Sequence, residues 1–326
     1  MKQRPNLNNV KTYLYLSILI LSGLWSCRPD VEEFRPYDDS LADISRLFTQ
    51  VPTTSKPQTF AFSAAVEDTI LSTSGGVRVF LSDTEELFAD SNGNTVPFSV
   101  CQNISVEIRY ITKRSDLVAL GRHTMTTEGA VLESLGMVDI TAKCDGTPLK
   151  LLPGRSIKIQ IPSDQPLKNG LNTYIGNLVK DTLKGWDEGV NEVFWADWQA
   201  GNSSLQLGYE FLATQLGLQM LAKPFEEPLT TFCVTLPENS TRDNSVVYVL
   251  TQNVLSLAYL TGDPGSNTFC IGHAPLGYPV EILTISKIDT DFLIGYKKTE
   301  IGTNATIAIT PEESSMNAVI DFIKNL

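Results

Sequence analysis

The residues best placed by type and spacing to do chemistry are three tryptophans with acidic neighbours, Trp186-Asp187 and Trp195-Ala196-Asp197-Trp198. An exposed indole stacks on a pyranose ring, and a nearby carboxylate accepts hydrogen bonds from the sugar hydroxyls. Trp186, Asp187, Trp195, Asp197 and Trp198 are therefore candidate glycan-binding residues. The simpler expectation is that the indoles are buried, because large aromatics dominate cores and domain interfaces. Other chemistry is thinly supplied. The two histidines, His123 and His273, are far apart and carry no metal-ligand spacing, whereas a zinc site needs three or four ligands. Each reads as a polar loop residue, and no metal is expected. Asp90-Ser91-Asn92-Gly93-Asn94 looks like a calcium loop but lacks its further acids, so a hairpin turn through Asn92-Gly93 explains it better. A Gly-x-Ser-x-Gly elbow and phosphate-binding glycine patterns are both missing, and no cofactor is expected. Glu85-Glu86, Asp187-Glu188 and Glu226-Glu227 are adjacent acids, which usually point apart rather than forming a hydrolytic pair.

The cysteines divide into one and four. Cys27 closes Leu24-Trp25-Ser26-Cys27, which resembles the bacterial lipobox, with Trp25 larger than usual for its position. Before it come a basic leader (Lys2, Arg4, Lys11) and an apolar run from Tyr13 to Trp25, about 13 residues against the roughly 20 a membrane helix needs. This order is that of a signal peptide. Residues 1–26 are expected to be removed and Cys27 to carry a diacylglycerol. The segment behind it, Arg28-Pro29-Asp30-Val31-Glu32-Glu33, is charged and proline-bearing, as a tether would be. An acidic stretch there also resembles an export signal to the cell exterior, so an outer-membrane, surface-exposed location is expected, with the periplasmic face as the alternative. Cys101, Cys144, Cys233 and Cys270 are even in number and permit disulfides; Cys101 with Cys144 and Cys233 with Cys270 is the pairing that respects the domain boundary below. Buried free thiols are the alternative.

Charge narrows the partners. The chain of 326 residues has formal charge −12, and loss of Lys2, Arg4 and Lys11 with the leader makes it −15. No basic segment offsets that field, so nucleic acid is excluded as an expected partner.

The elements that must position these residues read as β. Val77–Leu81, Ser105–Ile111 and Ser156–Ile161 alternate apolar and polar at period two, between turn-forming stretches such as Ser74-Gly75-Gly76 and Pro153-Gly154. No helix-period segment of useful length interrupts them. The expected organisation is a signal peptide at 1–26, a tether with a short amphipathic helix (40–50) at 27–57, a β-sandwich at 58–165, a less regular tryptophan-bearing bridge at 166–228, and a second sandwich at 229–326. The last has about seven strands and is expected to be immunoglobulin-like from its roughly ten-residue strand spacing. Thr310-Pro311-Glu312-Glu313 has the features of a helix start, with Met316, Val319, Ile320, Ile323 and Leu326 as its apolar stripe against the second sandwich.

The run from Thr127 to Ile140, with Ala142, Gly146, Leu149, Gly154 and Pro162, resembles the N-terminal domain of a group of uncharacterised bacterial surface proteins. That domain is similar to the ZU5 β-sandwich, an interaction module. The resemblance covers about a third of the chain and implies a non-enzymatic module; it supplies no catalytic residue. The expected function is a surface lipoprotein for adhesion or assembly, held to the membrane by lipid on Cys27 and binding a protein partner. The alternatives are a glycan-binding accessory protein and, third, a carboxylate-dependent hydrolase.

Overall fold

The computed structural model describes residues 40–63, 68–96, 101, 103–164, 169–200 and 204–326. Cys27 and the tether before Ser40 lie outside them. Residues 40–326 form one compact unit that is mainly β, built of sandwiched antiparallel sheets with a short C-terminal helix.

Helix α1 (Ser40–Gln50) buries Ile44 and Leu47 one turn apart, as its amphipathic pattern predicts. The chain then turns back at Thr54 and Ser55, whose backbone N–H groups and hydroxyls all donate to the buried Asp116 carboxylate. One side chain thereby satisfies four donors, two of them on the buried Ser55.

Thirteen strands follow. They are β1 (Gln58–Ser63), β2 (Asp68–Ser72), β3 (Arg78–Ser82), β4 (Phe88–Ala89) and β5 (Asn103–Ile111). After α2 (Arg114–Ala119) come β6 (Leu132–Cys144), β7 (Thr147–Leu151), β8 (Ile157–Pro162), β9 (Asn172–Val179) and β10 (Thr182–Glu188). The last three are β11 (Val193–Ala200), β12 (Ser204–Ala213) and β13 (Gly217–Pro224). One sheet runs β1-β5-β6-β13-β9-β10, with β4 and β7 beside the end of β6, and the other runs β11-β12-β8-β3-β2. Val79, Ile159, Ile161 and Phe211 meet Val106, Ile108 and Ile140 in the core between them. The period-two residues of β3, β5 and β8 thus face one another across a sandwich.

Two expectations are corrected here. The described residues between Asn172 and Pro224 form five regular strands of these two sheets, β9 to β13, not a less regular bridge. In β13 the alternation is obscured because both faces are covered, which removes the polar face, and in β10 a register shift between Leu183 and Gly185 breaks it. Within the first sandwich, Arg114–Ala119 is also helical. Six residues are too few to show helical periodicity in sequence.

The second half comprises β14 (Leu229–Thr235), β15 (Ser245–Thr251), β16 (Leu257–Gly262), β17 (Thr268–Pro275), β18 (Pro279–Ile288), β19 (Asp291–Glu300), β20 (Ala305–Ala308) and β21 (Glu312–Ser314), then α3 (Met316–Lys324). Its sheet order is β20-β14-β17-β16-β15-β18-β19-β21, with β14 and β20 parallel and the other pairs antiparallel. The sheet curls around Phe232, Val234, Val247, Leu260, Phe269 and Ile282. A β-carbon at Gly295 would stand 2.7 Å from Ile309 Cγ2, so the chain after β20 passes against β19 only because position 295 has no side chain.

The final helix starts later than its sequence suggests. Glu312–Ser314 pairs with Phe292–Ile294, and Ser315 is the cap, accepting from Ala318 N–H at 3.2 Å. Strand pairing overrides the local Thr310-Pro311 signal, and the Ser315 hydroxyl provides an equivalent cap five residues on. Val319 and Ile323 are fully buried, but not against the second sandwich alone. They join α1, α2, the back of the first sheet (Met137, Trp186, Met220) and the second-half strands (Leu250, Leu283, Ile285) in one shared core.

Candidate functional site

The tryptophan set does not form a platform. Trp186 is 1% exposed, and its indole N–H donates to the His123 carbonyl at 2.6 Å. Its backbone is held by Met125 and Thr127, fastening β10 to the loop after α2. Asp187, on the opposite face, accepts from the Thr127 hydroxyl at 2.8 Å. Trp198 is 6% exposed and lies against Gly208, where a β-carbon would come within 2.6 Å of its ring. Of the three, only Trp195 is open, at 37%, with its ring edge-on to Tyr209 at 4.9 Å. Asp197 is exposed on the same face of β11. The five candidates are therefore split between the interior and two surfaces, and no single sugar ring can touch them together.

His123 is half-buried, with Met125 N–H donating to Nδ1 (3.2 Å) and Nε2 within 3.2 Å of the Leu183 carbonyl. Those partners require the Nε2–H tautomer, leaving no free lone pair for proton transfer. Burial holds its pKa below the ordinary 6.5, against the opposing pull of the Leu183 carbonyl. His273 is exposed on β17, a strand rather than the loop expected. The Asp90 turn is closed by its own carboxylate, which accepts from Asn92 and Asn94 N–H at 2.8 and 2.9 Å. Among the described residues, no group of three His, Cys, Asp or Glu is placed to hold a metal ion. The cysteines are joined as Cys101–Cys144, between the entry of β5 and the end of β6, and Cys233–Cys270, directly opposite one another on β14 and β17.

An apolar ribbon that sequence reasoning missed lies beside Trp195. Strands β11 and β12 pair from Val193↔Phe211 to Ala200↔Ser204, and β8 accompanies β12 only along Gly208–Ala213. Beyond Gly208 the Ser163 N–H still donates to the Leu207 carbonyl at 3.0 Å. Leu205 (64%) and Leu207 then stand exposed on the same face as the buried Tyr209 and Phe211. On the other face Phe194 (55%) and Leu212 are also exposed. In sequence, Leu205, Leu207, Tyr209 and Phe211 read as a uniform core face. Only the position of the neighbouring strand separates the buried half from the open half. The outer edge of β11 pairs with no strand among the described residues, and Glu192 and Asp197 lie along it, exposed and in no ion pair with them. Such an edge, apolar with acidic punctuation, can accept an additional strand.

Among models of known protein families and among curated proteins, none matches the chain.

Proposed function

We propose that the chain is a non-enzymatic lipoprotein, anchored to the outer membrane through Cys27 and exposed at the cell surface. In this reading it binds a protein partner by strand addition at β11. The observation that carries the proposal is the open ribbon of Phe194, Trp195, Leu205, Leu207 and Leu212 along an unpaired sheet edge. Scattered exposed apolar residues need no explanation, but here Trp195, Leu205 and Leu207 share one face of a single hairpin beside its unpaired edge, with Phe194 and Leu212 on the other face, a clustering of the kind that marks interaction surfaces. The acidic residues along the edge favour a partner strand with alternating apolar side chains and a lysine or arginine. The ZU5-like resemblance of the first sandwich agrees with an interaction module, and the second sandwich is read as its immunoglobulin-like companion.

A photo-reactive phenylalanine analogue at position 194, used in intact cells, tests the proposal. A discrete adduct is expected there, and not from the same analogue at the equally open Ile70 on β2. Leu205→Asp with Leu207→Asp should abolish the adduct. Labelling that is equal at both positions, or unaffected by the two aspartates, rejects strand addition at β11.

A further inference from the structure

A second site lies on the other side of the molecule's first sheet. A cavity of about 470 Å³ opens where α1 and β10 meet the second half, within the roughly 300–1,000 Å³ typical of small-molecule sites. Its walls are mainly apolar: Ile44 and Phe48 of α1, Leu183 of β10, and Val246, Tyr248 and Tyr259 of β15 and β16. The three rings are in contact, Phe48 edge-on to Tyr248 at 6.1 Å and Tyr248 tilted against Tyr259 at 5.7 Å. Together they give the cavity an aromatic wall against which an apolar body can pack.

Polar groups are few, and each can be assigned. Neither phenol hydroxyl is hydrogen-bonded to any described residue, although Tyr248 is almost wholly buried. Burial, and then the proximity of the two phenols, pushes the Tyr248 pKa far upward; burial likewise raises Tyr259. Both remain neutral hydroxyls near pH 7, able to donate. His123 also borders the cavity, but its ring nitrogens are already engaged, so the site has no free base. Lys184 is at the rim, exposed, and in no ion pair with any described carboxylate. In a chain with 37 acids against 25 bases, the lining of this cavity includes no carboxylate, and Lys184 is its one lysine or arginine.

We infer that this cavity binds a monoanionic amphiphile, a small molecule with an apolar body against Phe48, Tyr248 and Tyr259 and a carboxylate or sulfonate head at Lys184. The inference stands apart from strand addition at β11, because none of its residues lies on β11 or β12.

The test is fluorescence titration of the full chain with anilinonaphthalene sulfonate, alongside its neutral analogue N-phenylnaphthylamine. Saturable binding at one site is expected, tenfold or more tighter for the sulfonate and displaced by decanoate. Lys184→Glu should weaken the sulfonate at least tenfold and leave the neutral probe within twofold. Ser45→Trp, at the exposed lip, should block both probes. The variants' thermal midpoints, measured in parallel, establish that they are folded. Absence of saturable binding to the native chain, equal affinity for the two probes, or native-like binding to folded Ser45→Trp each overturns the inference. Native-chain titrations with the charged and neutral probes decide the anionic head even if a variant fails to fold.

Discussion

Arg114 Nη1 and Glu281 Oε2 lie 3.0 Å apart, joining α2 of the first half to β18 of the second across 167 residues of sequence. Glu281 is buried and is met from its other side by Lys298 at 3.1 Å, while the Arg114 guanidinium reaches the Thr251 carbonyl at 3.4 Å. This pair sits beside the shared apolar core and sets how the second sandwich docks on the helical layer. Burial raises the Glu281 pKa, but the Lys298 hydrogen bond and the Arg114 charge outweigh it, and the net position is below the ordinary 4.5.

Glu281→Gln should therefore destabilise the chain by about 2 kcal/mol near neutral pH, the scale of a lost charge-assisted hydrogen bond. Because the folded pKa is depressed, the contribution is complete above about pH 4.5 and declines as pH falls through the lower folded value. Urea midpoints of native and variant protein should stay separated from pH 7 to pH 5.5 and converge below pH 4.5. A separation independent of pH assigns the effect to packing instead.

Trp186 and Trp195 should differ sharply on replacement. Trp186→Ala removes a buried indole and its bond to the His123 carbonyl, at an expected cost of roughly 3–5 kcal/mol. Trp195→Ala should cost about 1 kcal/mol or less, as for a surface position. Acrylamide quenching of single-tryptophan variants gives the same ranking independently, with Trp195 quenched and Trp186 protected.

The two disulfides close loops of similar length, with sequence separations of 43 and 37. Chain entropy assigns each about 4 kcal/mol. Cys101→Ser/Cys144→Ser and Cys233→Ser/Cys270→Ser should lower stability by comparable amounts. Cys101 and Cys144 lie in the core of the first sandwich and Cys233 and Cys270 are half-buried on β14 and β17, so the quadruple variant should show near-additive loss in denaturant melts.

Gly208 carries a steric demand that sequence does not announce. An added β-carbon would stand 2.1 Å from the Ile161 carbonyl oxygen and 2.6 Å from the Trp198 ring. The first contact is with backbone and cannot be relieved by a rotamer. Gly208→Ala should cost about 1–3 kcal/mol by overpacking and should expose Trp198 to quencher. Gly93→Ala meets no atom within 4 Å and isolates the cost of positive φ alone, in the same thermal melt.

Cys27→Ser tests the anchor. Metabolic labelling with an alkyne fatty acid should mark the native chain and not the variant, and the variant should move from the membrane to the soluble fraction. Labelling retained in the variant removes the anchor from the proposed function.

The amphipathic helix at Ser40–Gln50, the outward-polar strands β3 and β8 and the seven strands from Leu229 to Ala308 were legible in sequence because each has a local period or turn signal. The leader ending at Cys27 is likewise read from sequence alone, as an expectation about processing. Fold class follows from such short-range rules, since alternation and turn chemistry act over a few residues. Tertiary structure decided the rest. It buried β13 on both faces, and it moved the start of α3 to Ser315 through pairing at β21. It also divided one apolar face of β12 into a buried half at Tyr209 and Phe211 and an open half at Leu205 and Leu207. Burial is a property of what lies opposite a residue, and the opposing residue here is often more than a hundred positions away. That is why Trp186 and Trp195, alike in sequence, differ in exposure, and why Arg114 and Glu281 could be joined only by the fold.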